Sequence, residues 1–340
     1  MTQADPLLVE TIQRLLADVC TPEAVESAEL DGWSAPVWSA LADSGFSLVG
    51  VAEAAGGAGG TLHDTAAILR AVGQFAAPVP LAETSMLAGW LLAASGLAIP
   101  EGPLTIVDEI PSMTIVDQRL QGETIVAWAR HADRIVVLVD GSVVSLRRDQ
   151  VTITPGANMA GEARDRVRVD VPVAAVERAS SSILAVDLNR RGALSRVLMA
   201  AGALGAIAQM TVDYTNDRRQ FGKPVATFQA VQQHLVLVAQ SAVRAQMAAD
   251  IAVRSLADGH VGIEVAAARV IVDDAITIAT RAAHQAHGAM GVTREYPLHQ
   301  LTRRLWSWRH EWGTTRDWRR QLGTATHATG ADRLYALIGD

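Results

Sequence analysis

A single cysteine in 340 residues, Cys20, excludes an intramolecular disulfide and any metal cluster built from cysteines. That usage fits a reducing compartment, and the cytoplasm is the expected location. Charge is also scarce. Only 19% of residues are Asp, Glu, Lys or Arg and the formal net charge is -7, so no overall basic surface for nucleic acid or an anionic membrane is expected, although local basic sites stay open. The N-terminal stretch around Asp5 and Pro6 lacks a basic region followed by an apolar core and a small-residue cleavage site, so it does not read as a secretory signal. Long uncharged runs are short of a membrane span as well: Val197 to Val212 falls below the roughly 20 residues that a helix needs to cross a bilayer, and a buried core helix is expected there. Apolar residues are plentiful at 49%. Such a chain can bury large cores, and its length alone suggests two or three domains.

Periodicity divides the chain into three. Leu8, Ile12, Leu15, Leu16 and Val19 share one helical face, and similar patterns recur from Val37 to Leu48 and from Thr65 to Val72. The run Ala54-Ala55-Gly56-Gly57-Ala58-Gly59-Gly60 lacks the strand, lysine and following helix of a phosphate-binding P-loop, so it reads as a connecting loop. After Pro103 the period changes. Ile135 to Val139, Asp140-Gly141 and Val143 to Leu146 read as a hairpin, and Arg166 to Val173 alternates as a half-buried strand does. From Asp187 helical patterns return over roughly 187–217, 226–257, 262–288 and a set beyond 297. Small residues such as Ala200-Ala201-Gly202-Ala203-Leu204-Gly205 imply close helix packing. The expected fold is mainly α: an N-terminal helical domain over 1–102, a shortened middle β domain over 103–180 and a C-terminal helical bundle over 181–340.

Two segments of the last third carry chemistry. The first is Arg218-Arg219-Gln220-Phe221-Gly222-Lys223-Pro224, followed by Phe228-Gln229 and Gln232. The second is Gln285-Ala286-His287-Gly288-Ala289-Met290-Gly291-Val292-Thr293, followed by Glu295-Tyr296-Pro297 and Arg303-Arg304. Arg218 offers a charged fork suited to a diphosphate, Phe221 an apolar wall, and Gln229 both a donor and an acceptor. Each residue also has a plainer alternative: Arg218 could pair with Asp217, Phe221 could pack in a core, the glutamines could be solvated, and Gly288 and Gly291 could end a helix.

Together with the order helices, β insert, helical bundle, these motifs resemble the acyl-CoA dehydrogenase family over most of the chain. The resemblance implies FAD as cofactor, reached by Arg218, Gln220, Phe221, Gln229, Gln285, Gly288, Ala289 and Thr314 largely from across a subunit boundary. It also implies an acyl-CoA or steroid-derived CoA substrate and an electron-transfer acceptor. In the family a glutamate removes the proton next to the thioester while the flavin takes the hydride. Here the two positions that would carry that glutamate hold Trp312 and Ser195. Glu311, one residue away, is the candidate for the catalytic role, with an exposed or structural acid as its alternative. Arg196 is a candidate substrate contact or, equally, a helix-surface ion pair. Thr314 precedes Arg316 where the family has glutamine, so a local cap is its alternative. The family's segment of acid, Pro and Gly-Ser-Asp has no counterpart between Ala98 and Trp128.

This asymmetry is similar to the short non-base subunit of actinobacterial heteromeric acyl-CoA dehydrogenases, which implies a longer homologous partner subunit. A directly catalytic homo-oligomer using Glu311 and a non-redox assembly module are the alternatives. No metal motif surrounds His284, His287 or His310-Glu311. Trp306, Trp308, Trp312 and Trp318 suit either an acyl pocket or core packing.

Overall fold

The computed structural model describes residues 3–108, 112–260 and 263–330. Proline and a capping side chain start each of the first three helices. Asp5 accepts from Leu7 N–H at the head of α1 (Pro6–Val19), Thr21 caps α2 (Pro22–Ala28) and Ser34 caps α3 (Ala35–Asp43). A capping box between Thr61 and Asp64 opens α4 (Leu62–Gln74), and Asp64 also accepts from the backbone N–H of Asp5, tying the starts of α1 and α4 together. The glycine-rich stretch between α3 and α4 is a short 3-10 turn followed by loop. Beyond α4 the chain winds as a π-helix over Ala82–Gly89, wholly buried, and runs into α5 (Trp90–Ala94). Nothing in the apolar periodicity signals that widened segment, which the sequence left unassigned.

The β region comprises β1 (Leu104–Ile106), β2 (Met113–Val116), β3 (Arg119–Ala127), β4 (Arg134–Val139), β5 (Ser142–Arg147), β6 (Val151–Thr154), β7 (Arg164–Pro172) and β8 (Glu177–Ser180). They form two four-stranded sheets of order β1-β4-β5-β8 and β2-β3-β7-β6; β1 and β4 run parallel and the other neighbours antiparallel. The Asp140-Gly141 turn lies where the sequence places it, both residues at positive φ (47° and 67°), joining β4 to β5. These two strands are apolar on both faces because both faces are covered. Val136, Leu138 and Val143 pack into the helical core, whereas Ile135, Val137, Val139, Val144 and Leu146 face the second sheet. The alternation explains how a small β region is held against the helices.

The C-terminal part is built from α6 (Ala185–Asp217), α7 (Gln229–Ala257), α8 (Glu264–His287), α9 (Leu298–Trp308) and α10 (Thr315–Thr329). Between α6 and α7 a two-stranded ribbon pairs β9 (Arg219–Gln220) with β10 (Lys223–Pro224). Two glycines let α4 and α6 touch at backbone distance. A Cβ on Gly73 would fall 1.9 Å from the carbonyl oxygen of Met199, and one on Gly202 would fall 1.9 Å from that of Arg70. The uncharged Val197–Val212 stretch is thus one part of a 33-residue core helix. By length and composition α6 and α7 could cross a membrane, but 72% of the most apolar window of α6 and 44% of that of α7 is buried inside the protein. Packing in the bundle accounts for the apolarity of α6, whereas α7 also leaves Val236, Leu237, Val243, Met247 and Ile251 exposed.

Candidate functional site

Helix α6, the π-helical segment, the end of β1, strand β7 and the turn after α9 converge on a cavity of about 460 Å³. Charged side chains from all three parts of the chain meet there. Arg196 of α6 donates through Nε to Glu311 Oε2 at 2.5 Å and through Nη2 to Glu83 of the π-helix. Glu311 also accepts from Arg164 of β7, Nε at 2.8 Å and Nη2 at 2.5 Å. Arg164 reaches on to Glu162 at 3.3 Å, and Glu162 pairs with Arg304 of α9 at 3.2 Å and accepts from Trp308 Nε1 at 3.1 Å. Arg196, Glu83, Glu162 and Arg304 are buried, and Arg164 and Glu311 are nearly so. Buried charges persist only when paired, and each carboxylate here has a guanidinium partner.

The electrostatics follow from that pairing. Burial would push the Glu311 carboxyl upward, but the charges and hydrogen bonds of Arg164 and Arg196 overwhelm it and hold it down to about 2. Asp108, at the end of β1, behaves oppositely. Burial first and the neighbouring Glu311 second push it up to about 6, with Arg196 and Arg164 only partly opposing. Burial of Arg164 and Arg196 would lower their pKa, yet their glutamate partners hold both above the usual arginine value.

The structure brings together the two positions where a base was sought. Ser195 is buried and donates to the carbonyl oxygen of Gly192 at 2.7 Å. Trp312, at φ +59°, lays its ring over Gly192, where a Cβ would come within 1.9 Å of Trp312 Cδ2. Trp312 lines the cavity whereas Ser195 is wholly buried, and neither an indole nor a hydroxyl takes up a proton at neutral pH. Glu311 points into the ion cluster, a strongly ionised carboxylate with little tendency to accept a proton. Arg196 lines the cavity, but its nitrogens are committed to Glu83, Glu311 and, at 3.4 Å, Ser195; it is a buried link between domains and not a helix-surface pair. Thr314 caps α10, accepting from Asp317 N–H and donating to its carboxylate at 2.5 Å. Of the tryptophans, Trp308, Trp312 and Trp318 are buried core, and Trp312 also lines the cavity.

The remaining candidates lie elsewhere, on the outer surface. Arg218, Gln220, Phe221, Gln229, Gln285, Gly288 and Ala289 are all exposed. Among the described residues Arg218 makes no ion pair, so the pairing with Asp217 that its neighbourhood suggested is not formed. Phe221 is 90% exposed and adopts φ +53°, a left-handed conformation uncommon for an aromatic residue, at the tip of the β9–β10 ribbon. Its ring meets only the edge of Phe228, centroids 6.1 Å apart, and is not core. Gly288 follows α8 with φ +61° and ψ -137°, a region open to glycine, and a Cβ there would meet nothing within 4 Å.

Glu83, Asp108, Glu162, Arg164 and Arg304 were not singled out as a cluster from the sequence. One signal was available: Glu83 is a lone charge in the apolar run Val79 to Leu92. No local pattern shows that Arg164 and Glu162 meet residues more than a hundred positions away. Among the described residues no group of His, Cys, Asp and Glu could hold a metal ion.

A helical pair of domains enclosing a small two-sheet β region, with a cleft where all three meet, is the architecture of a flavin-dependent dehydrogenase. The chain belongs to the acyl-CoA dehydrogenase family. Residues 2–98 match the acyl-CoA dehydrogenase N-terminal domain and residues 188–324 the acyl-CoA dehydrogenase C-terminal domain, together well over half of the chain. Members of this family are FAD-dependent oxidoreductases. The chain is 29% identical over 307 residues to the acyl-CoA dehydrogenase IpdE2 of Mycolicibacterium smegmatis, covering 88% of this chain and 91% of that one. It is 29% identical over 318 residues to the acyl-CoA dehydrogenase FadE28 of Mycobacterium tuberculosis, covering 85% and 89%. Among solved structures, the ChsE4-ChsE5 complex from Mycobacterium tuberculosis superposes with a TM-score of 0.83 at 25% identity, covering 97% of this chain and 99% of that one.

Proposed function

We propose that this chain is the accessory subunit of a heteromeric acyl-CoA dehydrogenase and completes the FAD site of a longer homologous subunit that carries the glutamate base. The carrying observation is a division of labour within one protomer. The cofactor motifs form an exposed surface, largely unpartnered among the described residues, while the expected base positions hold Trp312, on the cleft wall, and Ser195, wholly buried, and Glu311 is tied up by two arginines.

The exposed residues fit the cofactor chemically. Arg218 supplies a guanidinium, in no ion pair among the described residues, for a diphosphate. Phe221 supplies an aromatic face held away from its own core, and Gln220, Gln229 and Gln285 supply donors and acceptors turned to solvent. Gly288 and Ala289 leave room for a close approach. When bound, FAD supplies the hydride acceptor for α,β-dehydrogenation of an acyl-CoA or steroid-derived CoA thioester, electrons then passing to an electron-transfer acceptor. This chain's own residues bind and orient; they move no proton. Cys20, buried and held up to about 12 first of all by burial, is an inert thiol that accords with a reducing cytoplasm.

Co-expression with a longer homologous subunit, followed by measurement of flavin content and of anaerobic flavin reduction by acyl-CoA, tests the reading. Flavin and turnover are expected in the complex and no turnover in the isolated chain. Normal turnover with stoichiometric FAD in the isolated chain would sink the proposal. Intact assembly that never contains flavin would favour a non-redox assembly module instead.

A further inference from the structure

We infer that His287, clasped between Tyr214 and Tyr296, is a positioning residue that holds the two cofactor-facing loops in fixed register and releases them when it takes up a proton. The inference rests on the reading of those loops given above, and deepens it by naming what sets their geometry.

The loops are far apart in sequence, and each adjoins a ring of one aromatic cluster. His287 is the last residue of α8, immediately before the Gly288–Val292 turn. Its ring stacks on Tyr214 of α6 with centroids 4.4 Å apart and planes 23° apart. On its other side lies Tyr296, 4.9 Å away and tilted by 48°, at the start of the approach to α9. The clasp closes on itself, because Tyr296 donates its hydroxyl to the carbonyl oxygen of Met210, one turn before Tyr214, and the two tyrosines meet edge-on at 5.3 Å.

Both loops hang from this clasp. The backbone N–H of Arg218 donates to the carbonyl oxygen of Tyr214 at 2.9 Å, and Val225 N–H donates back to Arg218 O at 2.8 Å, so the base of the Arg218–Val225 loop is the residue stacked on His287. The other loop wraps around His287 itself. A Cβ on Gly291 would come within 2.9 Å of the His287 Cβ and 3.1 Å of the carbonyl oxygen of His284, which leaves the turn one way to lie.

The imidazole must be neutral for this to hold. Nδ1 lies 2.8 Å from the carbonyl oxygen of Ala283, which can only accept, so Nδ1 carries the hydrogen. Nε2 is buried and has no hydrogen-bond partner among the described residues. A second proton there would put a charge with no protein acceptor into a buried aromatic stack, which costs more than the same charge in water. The titratable and charged groups facing the clasp are His284 on α8, Tyr214 on α6, Tyr296 itself, and Asp213 and Asp217 of α6, which act on Tyr296. Burial above all, then His284, holds the His287 pKa below the usual imidazole value. A folded value lowered below the unfolded one gives a contribution that is complete above about 6.5 and is lost as pH falls from there through the folded value.

Hydrogen exchange on the intact chain tests the clasp without any partner. In His287→Ala, exchange corrected for intrinsic rate is expected to rise about tenfold in both loops, including the sequence-distant amides of Arg218 and Val225, because two aromatic contacts are lost. His287→Phe, which keeps two ring faces, is expected to restore protection. Wild type is expected to lose loop protection progressively as pH falls below about 6.5, and His287→Phe to keep it. Unchanged exchange at Arg218 and Val225 in the alanine variant, or an acid response that survives in the phenylalanine variant, would overturn the inference. If the alanine variant does not fold, the contrast between wild type and His287→Phe across pH still decides the matter. FAD retention in the co-expressed complex is read separately: protected loops without flavin would sink the cofactor reading and leave the clasp standing.

Discussion

Replacing Glu311 by glutamine separates a structural acid from a catalytic one. The change keeps shape and removes charge, so it strips Arg164 and Arg196 of their shared carboxylate while leaving each a second partner, Glu162 and Glu83. Removing one member of a buried ion pair costs roughly 3–5 kcal/mol, and the surviving partners place this case near the lower end, about 3 kcal/mol. The carboxyl's own titration gives a similar figure. Holding it at about 2 rather than 4.5 corresponds to about 3 kcal/mol of preferential stabilisation of the ionised form. The sign is that of a depressed acid: the contribution is complete above about 4.5 and drains away as pH falls through the folded value. Chemical denaturation at neutral pH should therefore show Glu311→Gln well below wild type, and the gap should narrow steadily below pH 4. Turnover of the co-expressed complex, corrected for folded protein, should persist. A variant as stable as wild type at neutral pH but devoid of activity would refute the reasoning and restore Glu311 as a proton acceptor.

Three further outcomes follow from the same geometry. Asp108→Asn should stabilise the protein by roughly 2–3 kcal/mol at pH 7 and have no effect below about pH 4, since the acid is raised from 3.8 to about 6 in the folded chain; paired denaturation curves at the two pH values check it. Gly202→Ala should cost about 1–3 kcal/mol because its Cβ meets the Arg70 carbonyl oxygen, whereas Gly205→Ala, whose nearest atom is Gln246 Nε2 at 3.6 Å, should be neutral or stabilising; thermal melts of the two decide. Phe221→Ala should change the stability of the isolated chain by less than about 0.5 kcal/mol, the ring being 90% exposed, yet lower the flavin content of the co-expressed complex.

The helical framework was readable because its signals are local. Asp5 with Pro6, the Thr61 and Asp64 box and the 3.6-residue stripe of α1 each act within a few positions, and the Asp140-Gly141 turn reports its own backbone. The exposed segment proposed above to meet the cofactor was visible as a motif for the same reason: Arg218 through Pro224 is contiguous and carries the β9–β10 ribbon. What stayed hidden depends on contacts between distant segments. Several short strands, such as β1 and β8, carry too few residues to show a period, and the π-helix differs from an α-helix only in a hydrogen-bond register that packing selects. The ion cluster joins residues 83, 162, 164, 196, 304 and 311, and no spacing announces that. Glu311 could be singled out by its neighbours in sequence but not assigned, because its character is set by Arg164, which lies 147 positions away.

The cleft and the outer surface also bear on each other energetically. A glutamate that must accept a proton from carbon needs a pKa lifted toward neutrality, which burial supplies and a nearby arginine removes. Two arginines on one glutamate therefore make a poor base and a good fastening. The fastening in question joins the π-helix, β7 and the bundle, and misplacing any one of them would strand a buried charge. Relative domain motion that opens this cleft must break those pairs at a cost of several kcal/mol, so the β region is fixed over the bundle before any partner arrives.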